Sequence, residues 1–574
     1  MKIFGVGAAT GIGIGIAKVI RERNVEIIRR SIADVESEIN NFKKVLEITK
    51  AETEKMADSL GKNASDKEAE ILFGHIMLMS DPMLVDEIVN RITSDRTCAE
   101  SVIKEVCEQY AAVFDSMDDE LMQQRATDMH DIKSRLIKKI LGVEDIDLSN
   151  LPYGSVIVAK DLTPSMTAGL NPENIMGIIT QLGGRTSHSA ILARALEIPA
   201  VVGLSELPDD VKDGDLILLD GKSGEVILNG NDEERTFYED KKRAYDAEKE
   251  LLKKYKDLPS VSMDGKRVEI AGNIGNPDDA LKVIENGGEG IGLFRTEFLF
   301  MDRNAMPSEE EQFESYKKVA IAMDGKPVII RTLDIGGDKE IPYMGIEKDE
   351  NPFLGYRAIR LCLDRRNDIF IPQIRALLRA SAFGNIKIML PLITSMDEIN
   401  EAKLIINEVK SELDSKNIEY NKNIAVGIMV ETAAASLMAD IFAKHVDFFS
   451  IGTNDLIQYS MSVDRGNVKV ANLYSQYSPA VLRSIYNIIK EGKKAGIMVG
   501  MCGEAAADPL LIPILLSWGL DEFSMSASSI LKSRQIISKC DSQRLKSVGD
   551  EVLRMETESE IREHLNKTAK ELGC

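Results

Sequence analysis

The chain has no C-x-x-C pair. Its six cysteines, Cys98, Cys107, Cys362, Cys502, Cys540 and Cys574, stand singly along 574 residues, which speaks against a zinc knuckle or a thioredoxin-type centre and fits a reducing compartment. It also lacks an apolar run long enough to span a bilayer. Residues 5–20 are apolar but hold five glycines, and about 20 apolar residues are needed for a span. Lys2 alone makes a thin basic region and no cleavage-type sequence follows, so a secretion signal is not indicated. The stretch reads as a Gly-punctuated strand, and the chain as cytoplasmic with no membrane insertion. Positive charge is in deficit: 71 basic against 93 acidic side chains leave a net charge of −22. That argues against nonspecific nucleic-acid binding, favours solubility and would steer a basic protein partner. There is no Walker A sequence, no internal repeat and no low-complexity segment. Gly11-Ile12-Gly13-Ile14-Gly15 lacks the G-x-G-x-x-G spacing, and the glycines between Gly287 and Gly292 lead into a strand, so neither supports nucleotide binding.

What remains is an ordinary globular composition, 44% hydrophobic and 29% charged, over a length that implies two to four domains. Val35, Ile39, Phe42 and Leu46 recur at helical spacing, as do Ile103, Val106, Tyr110 and Val113. The spacing predicts amphipathic helices packed on one another over 31–144. Short β-like runs flank this insert, in 1–30 and in 145–230, at 156–158, 178–179, 200–202, 216–219 and 226–228. They predict one α/β domain interrupted by a helical bundle. In 231–257, seventeen of 27 residues are charged. Glu239 with Arg243 and Glu250 with Lys254 stand at supportive i,i+4 order, so 231–260 reads as a solvated linker helix. Beyond it, strand-like runs at 268–273, 290–294, 328–332, 386–391, 426–430, 447–451, 497–501 and 521–525 alternate with helical segments. Eight strands over 261–574 predict a (β/α)8 barrel of the TIM type.

Such barrels carry their chemistry at the C-terminal ends of the strands. There this chain has Arg295, Arg331 with Asp334, Glu431, Asn454 with Asp455, and Cys502 with Glu504; Arg465 follows the sixth strand. Singly, each reads as well as a surface ion pair or helix cap. Jointly, converging arginines make a site for phosphate or carboxylate, because guanidinium binds both bidentately. Glu431 and Asp455 would repel one another unless a cation sat between them, and hard oxygen ligands beside a phosphate point to Mg2+. A second centre lies at Gly183-Gly184-Arg185-Thr186-Ser187-His188-Ser189. A Gly-Gly turn leads into hydroxyls and one histidine in the first turn of a helix, where unpaired N–H groups favour an attached phosphoryl group. A neutral imidazole can accept that group covalently. The remaining histidines, His75, His130, His445 and His564, lack this setting.

The run from Gly183 to Ile191 resembles the phosphohistidine motif of the phosphoenolpyruvate-utilising enzymes. Phe298-Leu299-Phe300-Met301-Asp302-Arg303, Ile335-Gly336-Gly337-Asp338-Lys339, Phe449 through Leu456, and Gly500-Met501-Cys502-Gly503-Glu504 match as well. Together, and nearly end to end, they resemble the enzyme I family of the phosphoenolpyruvate:sugar phosphotransferase system. The resemblance implies a swivelling phosphohistidine domain whose helical insert docks the phosphocarrier HPr, and a barrel that binds phosphoenolpyruvate and forms a homodimer. It implies that His188 carries the phosphoryl group, with Thr167 and Thr186 as hydrogen-bonding neighbours. Arg295, Arg331, Arg357, Asn454, Asp455 and Arg465 would contact the substrate, Glu431 and Asp455 would ligate Mg2+, and Cys502 would protonate the enolate as pyruvate forms. The chain departs from the family pattern at Ala433, where proline commonly follows the Glu-Thr pair, and at Ala8-Ala9-Thr10-Gly11, in place of a Ser-Pro-Gly. The related dikinase and synthase reactions need a large ATP-binding domain, for which this chain has no room.

Overall fold

A computed structural model describes the chain except residues 21–26, 61–65, 116–119, 144–147, 149–150, 168–169, 185–186, 205–210, 302, 304, 337–340, 348, 468 and 574, and the side chains of 58–60, 66–70, 115, 120–124, 164, 195 and 342. It divides into two compact units, Met1–Lys249 and Glu250–Cys574.

The first unit is built on an eight-stranded mixed sheet. Three strands lie before the helical insert: β1 (Lys2–Phe4), β2 (Val6–Ala9) and β3 (Ile12–Ile20). Residues 5–20 are therefore not one strand. The chain reverses at Gly11, whose φ of +137° is reserved for glycine, so β2 and β3 part to opposite places in the sheet. The insert follows: α1 (Val35–Leu60), α2 (Asp66–Ser80), α3 (Pro82–Asp95), α4 (Ala99–Asp115) and α5 (Glu120–Ile140). Pro82 does not break this bundle. It opens α3 at a position where its missing N–H costs nothing, and the Asp81 carboxylate caps the turn by accepting from Met83 N at 2.8 Å. Phe42, Leu46, Ile103 and Val106 form the bundle core with Met129, Ile132 and Leu136. Val113 leaves the stripe and is exposed.

The sheet is completed by β4 (Ser155–Ala159), β5 (Ile175–Thr180), β6 (Ala200–Val202), β7 (Leu216–Asp220) and β8 (Glu225–Leu228), in the order β1-β8-β7-β3-β4-β5-β6-β2. The strands after the insert join those before it, β3 running parallel to β4 and antiparallel to β7. Two short helices stand between these strands in the chain: α6 (Pro164–Thr167) after β4 and α7 (His188–Ala195) after β5. Ala190 and Ala193 seat α7 against Ile157, Ile178 and Val202 of the sheet. The small side chains let the helix approach closely and fix where its N-terminus points.

The charged segment forms α8 (Asp232–Lys253). Its ion pairs differ from those expected. Glu239 takes Arg235 at 2.8 Å, Arg243 turns to Asp240, and Glu250 takes Lys253. All are exposed, so each contributes at most about 1 kcal/mol.

The second unit is a closed parallel barrel of β9 (Glu269–Ile274), β10 (Gly290–Arg295), β11 (Val328–Arg331), β12 (Ile386–Leu390), β13 (Val426–Val430), β14 (Phe448–Gly452), β15 (Met498–Cys502) and β16 (Glu522–Met525), with β16 pairing back to β9. All eight expected strands are present. Leu293, Ile329, Met389, Met429, Phe448 and Cys502 fill the lumen, so the barrel is a packed core and not a pore. A far larger cluster lies between the strands and the surrounding helices. Among the described residues, no helix is long and apolar enough to cross a membrane.

Candidate functional site

The first centre is His188, the opening residue of α7. Gly183, at φ +98°, makes the turn before it. Ser187 precedes the helix in an extended conformation, yet its hydroxyl donates back to Gly184 O at 2.9 Å and caps nothing. The N–H groups of His188 and Ser189 thus keep their donor capacity, while those of Ala190 and Ile191 both go to Ser187 O at 3.0 Å. Arg185 and Thr186 lie outside the described residues, and with them the expectation for Thr186. Thr167, at the end of α6, has its Oγ1 3.1 Å from His188 Nε2. Burial pushes the His188 imidazole down to about 4, with His75 adding to the shift and the Asp128 and Asp131 carboxylates opposing it. The ring is therefore neutral at pH 7.

These neighbours were not expected from sequence. His75 of α2, set aside among the other histidines, is fully buried beside Asp128 and Asp131 of α5. Its Nε2 lies 3.1 Å from Asp128 and its Nδ1 3.8 Å from Asp131. One signal was available. Asp128, Asp131 and Arg135 repeat at spacings of three and four beside the apolar stripe of Met129, Ile132 and Leu136, and all three are buried.

The second centre is the C-terminal mouth of the barrel. Arg295 and Arg331 are the last residues of β10 and β11, and Cys502 ends β15. Arg331 is clamped between Glu297 at 2.6 Å and Asp334 at 2.8 Å. Arg357 reaches the same Asp334 at 2.7 Å, Asp455 at 3.5 Å, and the Tyr459 hydroxyl at 3.1 Å. Arg465 lies 3.0 Å from the other oxygen of Asp455. Asp334 and Asp455 thus string Arg331, Arg357 and Arg465 into one chain of ion pairs. Burial works against the charge of Arg331 and Arg357, but Asp334, with Glu297 and Asp455, overrides it and holds both above the ordinary guanidinium range. Arg331, Arg357 and Arg465 are thus each already paired with carboxylate. Each of the two buried ones nevertheless keeps one unpaired N–H, its Nε. Among the described residues, the half-buried Arg295 guanidinium and the Asn454 amide make no side-chain hydrogen bond or ion pair.

Glu431, just beyond β13, sits with Asp455 inside this ring. Leu392, forced to φ +53°, aims its N–H at Glu431 Oε1 at 2.7 Å. A β-branched or γ-branched residue adopts that backbone only where its surroundings impose it, at a cost of about 1–3 kcal/mol. On the other side, a side chain at Gly452 would meet Glu431 Oε2 at 2.7 Å. Burial, Asp455 and Asp334 raise the Glu431 carboxyl to about 8, against the pull of Arg331 and Arg357. An ionised Glu431 here wants a cation. Among the described residues no group of three or more His, Cys, Asp or Glu could hold a metal ion by itself. A pair of carboxylates completed by phosphate oxygens and water is how Mg2+ is commonly held, and the Glu431–Asp455 pair fits that donor set.

This has a measurable consequence for stability. Glu431 keeps its proton up to about pH 8 in the fold, against 4.5 ordinarily. Across that window the native state binds more protons than the unfolded state, so stability falls as pH rises. Glu269 and Glu522, raised by burial to about 7 and about 8 on the barrel's first and last strands, contribute in the same direction. Melting temperatures of metal-free protein should therefore decline from pH 5 to pH 8, and less steeply in Glu431→Gln, which keeps the neutral shape. Parallel curves for the two proteins would contradict a strained Glu431.

Comparison with known proteins finds matches along nearly the whole chain. The family model for the PEP-binding domain of PEP-utilising enzymes matches residues 249–542, that for their N-terminal domain 4–125, and that for their mobile domain 151–224. A phosphoenolpyruvate-protein phosphotransferase of Priestia megaterium is 47% identical over 98% of this chain and 98% of its own. One from Bacillus subtilis (strain 168) is 47% identical over 99% of this chain and 100% of its own. A solution structure of an enzyme I protein is 42% identical and covers 42% of this chain and 99% of its own, at a TM-score of 0.39. With both halves of the chain matched in order and the relatives matched over nearly their whole length, the chain belongs to the phosphoenolpyruvate-utilising enzymes, in the family of phosphoenolpyruvate-protein phosphotransferases.

Proposed function

We propose that the chain moves the phosphoryl group of phosphoenolpyruvate onto His188 and from there onto the histidine phosphocarrier HPr, releasing pyruvate, as the first step of sugar uptake by the phosphotransferase system in the cytoplasm. The observation that carries the reading is a single neutral imidazole, at the N-terminus of α7, with its Nε2 held by a hydroxyl. In this reading 1–30 with 145–230 is the phosphohistidine domain, 31–144 the phosphocarrier-docking insert, 231–260 the linker, and 261–574 the substrate and homodimerisation domain.

At the barrel mouth, Arg295, Arg331 through its free Nε, Arg357, Arg465 and the Asn454 amide would bind the substrate's phosphate and carboxylate. Glu431 and Asp455 would hold Mg2+, which when bound neutralises charge on the phosphoryl oxygens. As His188 reacts, the Thr167 hydroxyl passes from Nε2 to an oxygen of the incoming phosphoryl group, and the Nε2 lone pair forms the N–P bond as the bond from phosphorus to the enol oxygen breaks. The electron pair passes into the enolate, whose terminal carbon takes the proton of Cys502. In the second half-reaction the N–P bond breaks toward the partner's histidine. The insert offers a place for that partner: Phe73 and Met77, one helical turn apart on α2, and Met83 on α3 are all exposed, and exposed Met-rich faces suit protein docking.

Incubation with radiolabelled phosphoenolpyruvate tests the reading. The chain should acquire an acid-labile, base-stable label that maps to His188 and passes to added HPr. Removing divalent metal with EDTA should abolish labelling, and Mg2+ should restore it. Label on any other residue, or full labelling in EDTA, would reject the corresponding assignment.

A further inference from the structure

Helix α6 is a single turn of four residues, too short to hold itself by helical cooperativity. Its opening residue, Pro164, has no N–H, so the first backbone donor of the turn is that of Ser165. Both groups that Ser165 offers are taken by one carboxylate from another part of the unit. Asp131 of α5 accepts the Ser165 hydroxyl at 2.7 Å through Oδ1 and the Ser165 N–H at 3.3 Å through Oδ2. Two residues later the same turn presents Thr167 to His188 Nε2 at 3.1 Å. Asp131 is itself held. It is buried, with the His75 ring 3.8 Å from its Oδ2 and 3.1 Å from Asp128, distances at which His75 makes no hydrogen bond to either, and Arg125 approaches Asp128 at 3.2 Å.

We infer that Asp131 is a positioning residue for phosphoryl transfer: by clamping α6 through Ser165, it fixes the Thr167 hydroxyl on His188 Nε2. The helical insert then does more than dock a partner, because one of its helices sets the reactive nitrogen in place. The inference rests on the reading of His188 as the phosphoryl carrier, and it extends that reading to residues more than 50 positions upstream. The charged and titratable groups facing the His188 ring are Asp128 and Asp131 from α5 and His75 from α2. On its own helix, Ser189 donates to Asp161 at 3.3 Å. A positioning role through Thr167 is therefore separable from a general electrostatic one.

The test is single-turnover labelling of the full chain by radiolabelled phosphoenolpyruvate at saturating Mg2+, in wild type, Asp131→Asn, Ser165→Ala, Thr167→Val, and the Asp131→Asn/Thr167→Val double variant. Asp131→Asn keeps the shape and removes the charge-assisted bonds; Ser165→Ala removes the hydroxyl and leaves Asp131 intact. Each single variant should slow labelling of His188 about tenfold, the scale of one hydrogen bond to a charged group, with the KM for phosphoenolpyruvate unchanged, since the substrate is bound elsewhere. Asp131→Asn should cost nothing further once Thr167 is valine. Wild-type rates in Asp131→Asn and Ser165→Ala, or a full additional loss in the double variant, would overturn the inference while leaving the carrier assignment standing. Wild-type label on a residue other than His188 would instead overturn the carrier assignment, and the inference with it.

Discussion

Replacing His188 by glutamine should eliminate labelling by phosphoenolpyruvate, a loss of about 10⁴-fold or more, the scale seen when the nucleophile of a covalent mechanism is removed. Glutamine keeps a hydrogen-bonding partner for Thr167, so the fold should survive and melting should shift little. The other imidazoles lack this setting: His75 is sealed in the bundle, His130 stands exposed on α5 with Lys133 at 3.4 Å, and His445 and His564 belong to the barrel unit. The wild-type pH profile is the sharper part of the prediction. An exposed histidine loses its nucleophilic form below its ordinary 6.5, whereas burial lowers His188 to about 4. Labelling should show no inflection near pH 6.5 from this ring and should fail on its account only toward pH 4. The sign for stability is the same. The unfolded chain takes up a proton near 6.5 that the folded ring refuses until about 4, so this group favours folding above that window and its contribution is lost as pH falls through it. Phosphoenolpyruvate labelling measured from pH 4.5 to 8, with acid quenching corrected for hydrolysis, checks both; a rate that halves at 6.5 in step with imidazole protonation would contradict the burial.

How much of this was legible in the sequence follows from where each constraint originates. The barrel strands announced themselves because a parallel strand covered on both faces is a continuous apolar run, as in Val328-Ile329-Ile330 and Ile428-Met429-Val430. Once eight such runs were counted, the rule that chemistry follows the strand ends placed Arg295, Arg331, Glu431, Asp455 and Cys502 around one mouth. Thr167 was named through the resemblance, and its contact with Nε2 is a fact of the fold. The pairing of charges was not legible. Asp334 serves both Arg331 and Arg357, and Asp455 both Arg357 and Arg465. Nothing local in the sequence ranks these partners, because they meet only when strands far apart in the chain close the barrel. The same holds for Asp131 and Ser165, 34 residues apart on different subdomains, and for the separation of β2 from β3, which hinges on one glycine with positive φ. An aspartate on an amphipathic helix reads as a solvated charge until a neighbouring element is known to cover it.

Replacing Cys502 by alanine should lower pyruvate formation by about 10²–10⁴-fold, the range for removing a positioned proton donor, while leaving phosphoenolpyruvate binding intact. The thiol lies inside the barrel among Leu293, Ile329, Met389, Met429 and Phe448. Its Sγ accepts from the Ser450 hydroxyl at 3.5 Å and points its own proton toward Ile451 O at 3.8 Å. Burial raises the thiol to about 11, with Ser450, Arg331 and Arg295 pulling down and Glu431 pushing up. An ordinary thiol titrates nearer neutrality than a hydroxyl. Here the surroundings move it away from neutrality, so that sulfur keeps its proton across the physiological range, the state required of an acid and not of a nucleophile. A developing carbanion at the mouth of the barrel is a strong enough base to take that proton, and the nearby guanidiniums stabilise the thiolate left behind until solvent restores it. Two measurements separate this role from packing. Calorimetric titration with phosphoenolpyruvate should give the same affinity in Cys502→Ala as in wild type, since the proposed reading gives the binding contacts to the arginines and Asn454. Turnover of wild type should hold through pH 9 without the loss near 8.5 to 9 that an ordinary thiol would impose. Cys502→Ser retains a donor, but one that yields its proton less readily, and should fall between the two. Pyruvate formation at the wild-type rate in the alanine variant would assign the proton to another group and leave Cys502 a core residue of the lumen.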